Sequence, residues 1–140
     1  MAIYGKISGG VSVKVKLPIS DEGAIAIGDM LVPDGTDGFK AASSGEKPVA
    51  VALEPCSAPA SDGDYEIWCE TSEEAIFRYP TDAASSISTA LLFKTCDISG
   101  KQEIDIGASA DDVITIVGVD PTNDTVDVKI KFSDGTSGVV

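Results

Sequence analysis

The sequence predicts an all-β protein, a small β-barrel or sandwich (β-tulip or jelly-roll-like) with little helix. Three observations point there. Apolar and polar residues alternate in short runs, the period-2 pattern of half-buried strands. These runs recur at spacings of about 8–12 residues, with turn residues between them. The composition, 43% hydrophobic and 24% charged, is that of a globular protein and too apolar for disorder. At 140 residues the chain suits one domain or two small lobes and needs no disulfide or metal to hold a core. The preferred reading is two similar β lobes packed together, with residues 1–20 as an N-terminal arm or strand, 21–80 as the first lobe and 81–140 as the second. The alternative is one continuous domain.

Taken in order, "VSVKVKL" (11–17) sets Val11, Val13, Val15 and Leu17 against Ser12, Lys14 and Lys16, and Pro18 ends the strand because it cannot extend a central ladder. "AIAIGDMLV" follows, broken at Gly28-Asp29, and "PDGTDG" (33–38) reads as a turn. "KPVAVAL" and "DYEIWCE" are strands separated by a polar loop. Thr71 and Glu74 match a helical capping box, but Pro80 closes the run too early for a helix, so Ala75–Tyr79 is read as a strand. One helical turn capped by Thr81 or Asp82 precedes strands at 91–95 and 102–106, which flank a turn at Ser99-Gly100. "VITIVGVDPTNDTVDVKIKF" (113–132) closes the chain as a hairpin. "VAVALEP" (49–55) aligns faintly with "TIVGVDP" (115–121), in matching contexts, as two similar lobes would require.

The net charge of −13 repels phosphate and argues against an electrostatic nucleic-acid binder. It is unevenly spread: residues 1–20 carry +3, through Lys6, Lys14 and Lys16, and the remainder carries −16. No apolar run is long enough for a membrane-spanning helix, and "MAIYGKISGG" lacks the basic start and apolar core of a signal peptide. Cys56, Cys69 and Cys96 are odd in number with no C-x-x-C spacing, which predicts reduced thiols serving as small hydrophobes in a cytoplasmically made protein.

Catalytic patterns are weak. The chain has no histidine, so neither a Ser-His-Asp nor a Cys-His site can form within it. Ser44-x-x-Lys47 fits a Ser-Lys pair in spacing, but it lies in a Gly/Ser loop before Pro48, without companion motifs. Glu66 and Glu70 flank Trp68, an aromatic-acidic neighbourhood that a sugar site would use and that a solvated strand face also produces. Asp120, Asn123, Asp124 and Asp127 offer oxygen ligands, but Thr122 and Thr125 occupy positions where a calcium loop needs an acid and a glycine. That stretch is read as a turn. No catalytic residue, metal site or cofactor is expected.

The order "GAIAIGDMLV", a Gly-rich turn, "AASSGEKPVAVALEP" and "SDGDYEIWCE" resembles the small tailed-phage head decoration (capsid cement) proteins, the lambda-type group and its relatives; "ADDVITIVGVDPTNDTVDVKI" is similar to segments of small phage structural proteins. The resemblance covers about 110 residues in pattern and turn placement and includes no catalytic signature. It implies a non-enzymatic viral structural protein on the outer surface of the virion. Such a protein binds the major capsid protein, stabilises the expanded shell and associates with itself as a homotrimer, with no nucleic-acid or membrane partner. Capsid-binding residues are then expected in the N-terminal segment: Lys6, Val11, Val13, Lys14, Val15 and Lys16. An alternating segment of this kind either adds to a partner's sheet edge or belongs to the chain's own sheet. The competing functional classes are a carbohydrate-binding β-module built around Trp68 and a head-fibre or tail attachment protein.

Overall fold

A computed structural model describes residues 5–9, 12–83 and 86–132. Of the described residues 45% are in strands and 3% in helical turns, and the strands form two antiparallel sheets. The strands are β1 (Gly5–Gly9), β2 (Lys14–Pro18), β3 (Met30–Pro33), β4 (Phe39–Ala41), β5 (Ala50–Ala52), β6 (Glu66–Glu70), β7 (Ala75–Pro80), β8 (Thr95–Gly100), β9 (Glu103–Asp105), β10 (Ile114–Asp120) and β11 (Thr125–Ile130). A 3-10 turn, Thr89–Leu91, is capped by the Ser88 hydroxyl.

The five-stranded sheet has the order β2-β6-β5-β3-β4, and the six-stranded sheet has the order β1-β7-β11-β10-β8-β9. With β1 set aside, the two orders are the same, β7 to β11 repeating the path of β2 to β6. The likeness extends to single bonds. Just past β2, Ile19 bridges in parallel to Phe39 on β4; just past β7, Thr81 bridges in parallel to Ile104 on β9. Ser20 N donates to Phe39 O at 2.9 Å and Asp82 N donates to Ile104 O at 3.0 Å. The segments that align faintly in sequence contain β5 and β10, which occupy equivalent places. The change of sheet falls between β6 and β7, so Ala75–Pro80 sits with the strands after residue 80, and β1 joins that same sheet.

The strands form where alternation meets burial. On β3, Met30 and Val32 face the six-stranded sheet and join a core with Ala75, Phe77, Tyr79, Ile114 and Val128, while Leu31 faces the other way, into a smaller cluster with Ile19, Ile25, Ala50, Ala52, Ile67 and Cys69. The five-stranded sheet is thus covered on both faces near its centre. Ties across the sheets complete the body: Tyr79 Oη donates to Gly28 O at 2.8 Å, Met30 N to Lys101 O at 2.9 Å and Gly45 N to Ile98 O at 3.0 Å. Cys69 and Cys96 are buried and free, and desolvation pushes both thiols up to about 12, so neither is a ready nucleophile.

Several sequence expectations need correction. Residues 91–95 are mostly a turn, and the strand runs from Thr95 to Gly100; the reversal comes at Lys101-Gln102 rather than at Ser99-Gly100. Of the helical turn expected within 81–90, residues 84–85 lie outside the described residues, and Ser86 and Thr89–Leu91 have 3-10 geometry. β1 was not foreseen as a strand.

Candidate functional site

β2 is an edge strand that pairs with β6 alone among the described strands. Its register is Lys14↔Glu70, Val15↔Cys69, Lys16↔Trp68, Leu17↔Ile67 and Pro18↔Glu66. Thr71 N donates to Val13 O at 2.8 Å, and Ile19 N donates to Tyr65 O at 2.9 Å. Residues 13, 15, 17 and 19 therefore bond inward to β6, and antiparallel alternation turns the N–H and C=O groups of Lys14 and Lys16 outward. Pro18 ends the open stretch because it has no N–H to offer.

The corresponding strand of the other sheet, β7, does not have an open edge. β1 lies along it, with Gly5 opposite Arg78, Lys6 opposite Phe77 and Gly9 opposite Ala75.

Side chains at the β2 edge sort by face. Paired residues point the same way, so Lys14, Lys16, Glu66, Trp68 and Glu70 share one face, and Val15, Leu17, Ile67 and Cys69 share the other. Trp68 is 43% exposed, and the Lys16 ammonium sits 5.5 Å from its ring centroid, a cation–π contact. An open groove of about 490 Å³ runs beside them, lined by Lys14, Leu53, Glu54 and Trp68. Glu54 Oε2 accepts from Trp68 N at 2.8 Å, which fixes the groove wall. Lys6, Lys40, Lys47, Arg78, Lys101 and Lys129 each have a carboxylate within ion-pairing distance. Among the described residues Lys14 and Lys16 have none.

Glu70 stands at the inner end of this face and is fully buried. Its carboxylate accepts from Lys6 Nζ at 2.6 Å, Ser12 Oγ at 2.6 Å, Val13 N at 2.7 Å and Ser72 N at 3.2 Å. Desolvation works against the charged form, but these four donors outweigh it and hold the pKa at about 2. The arrangement joins β1, the start of β2 and β6 at one point.

The sequence-derived site residues therefore separate. Lys14 and Lys16 meet at the open edge with Trp68. Val13 is exposed beside them, and Val15 is half-buried on the opposite face. Lys6 is committed to Glu70 within the fold. Val11 lies outside the described residues. Glu70 was read as part of a solvated face, and its burial has no local signal because its partners come from distant segments. Leu53 and Glu54 were missed for the same reason.

The remaining candidates have structural employment. Lys47 Nζ is 3.8 Å from Asp111 rather than directed at a serine base role, and Gly45 between Ser44 and Lys47 has φ of +78°. Asp120 accepts from Asn123 N at 3.1 Å and Asn123 Nδ2 at 2.8 Å, closing the β10–β11 turn, with Asp124 rather than Asn123 in the left-handed region. Among the described residues no group of three or more acidic, Cys or His side chains is arranged to hold a metal ion.

Compared with models of known families the chain matches none, and no curated protein matches it either.

Proposed function

We propose that the protein is a non-enzymatic structural component of a tailed-phage head, a decoration (cement) protein that binds the outer surface of the expanded capsid and stabilises it in association with copies of itself. One observation carries this reading: among the described strands β2 presents a free sheet edge, where the equivalent strand of the second sheet is covered. An uncovered edge with outward main-chain groups accepts an extended strand from a partner, and main-chain bonds supply affinity while side chains supply selectivity. Here selectivity comes from Lys14 and Lys16, which have no acid of their own among the described residues, beside the exposed Trp68. The partner's segment is therefore extended and acidic, presented by the major capsid protein on the shell exterior. The edge sits on a chain of net charge −13, so these two lysines locally offset a field that would otherwise repel such a segment.

A glycan reading draws on the same tryptophan, but its ring face is already occupied by the Lys16 ammonium. Sugar stacking has to displace that contact first.

The test is co-sedimentation with expanded heads assembled without this protein, alongside a glycan panel. Lys16→Pro removes an outward N–H while leaving the inward ladder to β6 intact, so binding should drop at least tenfold with the far-ultraviolet dichroism unchanged. Lys14→Glu with Lys16→Glu should weaken binding and flatten its salt dependence. Undiminished binding by the proline variant, or binding to glycans and not to heads, would refute the proposal.

A further inference from the structure

The two equivalent sheets give the molecule an internal control, position by position, and one position departs from it. In the first sheet Gly28 N donates to Ala52 O at 2.9 Å and Ala52 N donates to Asp29 O at 2.9 Å. In the second, Phe93 N donates to Ile116 O at 2.7 Å and Ile116 N donates to Lys94 O at 3.0 Å. Gly28 and Phe93 thus fill the same place in the same hydrogen-bond pattern, and both have positive φ, +91° and +64°. Glycine is the residue that takes this conformation without strain. A phenylalanine there is strained, and its ring, 75% exposed, gains little packing in return. Lys94, next to it, has no carboxylate partner among the described residues.

We propose that Phe93 and Lys94 form a knob that seats in a groove of a second copy of this chain, between Leu53, Pro55, Tyr65 and Glu66. That groove is open, about 460 Å³, and lies at the other sheet, beside β5 and β6. It offers an apolar bed in Leu53 and Pro55, the exposed ring of Tyr65, and the carboxylate of Glu66, which pairs with no basic residue among those described. The knob brings an aromatic ring and a cation; the groove brings aromatic and apolar surface and an anion. Exposed aromatic anchors that enter a partner's pocket are the residues that dominate interface affinity. Each copy gives its knob to one neighbour and receives one from another, a heterologous contact that closes into a ring or extends. The inference rests on the self-association part of the proposed function and is independent of capsid docking at β2.

Sedimentation velocity on the full chain over a concentration series tests it. Wild type should self-associate. Phe93→Asn suits the left-handed backbone and should abolish association while leaving the Tm the same or higher. Tyr65→Ser with Glu66→Lys should abolish it from the groove side. Mixing the two variants should restore one intact contact and stop at a dimer, and Lys94→Glu should recover association with Glu66→Lys copies. A wild type monomeric at every concentration, a Phe93→Asn protein that associates as wild type does, or a variant mixture that stays monomeric would each overturn the proposal. Loss of capsid binding by the β2 variants with association intact leaves it standing.

Discussion

The five-stranded sheet and the β7–β11 portion of the six-stranded sheet follow one path with two surfaces. Their strand order and their parallel bridges coincide, so the topology does not depend on the residues that differ. What differs lies at the margins. The first strand of one unit is open and flanked by lysines, while that of the other is covered by β1; one left-handed corner holds Gly28, while the other holds Phe93. Features that the path demands recur in both units, and features that appear in only one call for a separate explanation.

The largest effect should come from breaking the core that the units share. Phe77 is fully buried, stacked on Tyr79 at 6.4 Å and edge-on to Phe132 at 6.2 Å. Phe77→Ala should cost about 3–5 kcal/mol. Since Met30, Val32 and Val51 of the first unit pack into the same core, the fluorescence of the single Trp68 should report the same shifted denaturation midpoint as far-ultraviolet dichroism. A Trp68 transition left in place would mean that the two units unfold independently.

The next contrast is the ion pair at Glu70, whose carboxylate is fully buried, whereas the Arg78–Asp127 pair of the second unit is partly exposed. Lys6→Met leaves the Glu70 carboxylate buried without its cation and should cost about 3 kcal/mol. The pH dependence follows from the carboxyl's depressed pKa, about 2 against an ordinary 4.5. A carboxylate more acidic in the native state stabilises it fully above 4.5, and that stabilisation is lost as the pH falls from 4.5 towards 2. Glu70→Gln should flatten the fall in Tm over this window. An equally steep fall in the variant would assign the acid sensitivity to other groups.

The smallest effect compares the two parallel bridges. A Cβ on Gly38 would lie 2.6 Å from both Cα and N of Ser20, backbone atoms with little freedom to move. Gly38→Ala should therefore destabilise by about 1–3 kcal/mol. Glu103, which precedes Ile104 as Gly38 precedes Phe39, already carries a side chain, and Glu103→Ala should change stability by less than about 1 kcal/mol. Equal melting shifts for the two would show that the bridges are packed alike.

Much of the β fold was legible because its signals are local. The β10–β11 hairpin announces itself through the alternation of Thr125–Ile130 and the turn formers from Asp120 to Asp124, and the faint match of 49–55 to 115–121 fell on equivalent strands. β1 was not readable: "GKISG" has two glycines and little alternation, and its partner strand β7 lies far along the chain. β8 was displaced because "LLFKT" looks like a strand, whereas Phe93 turns the chain and "TCDISG" pairs despite residues typical of turns. At the candidate site, Lys14, Lys16 and Trp68 could be singled out from sequence. The burial of Glu70 and the open state of the β2 edge are products of long-range pairing, which no window of sequence displays.

The strand orders also set a timetable for synthesis. β2 to β6 are complete among themselves, so the first sheet can pair as soon as Glu70 has left the ribosome. β7 must wait for β11, the last described strand in the chain, because it is β11 that lies between β7 and β10. Among the described strands β1 pairs with β7 alone, so until β11 arrives the two form a ribbon with nothing on its far side, and Lys6 reaches Glu70 from that ribbon. A nascent chain stalled before Thr125 thus presents one finished sheet with Met30, Val32 and Val51 bare of the β11 side chains that pack on them. Such an intermediate has a sticky inner face, the kind of surface that chaperones bind during vectorial folding.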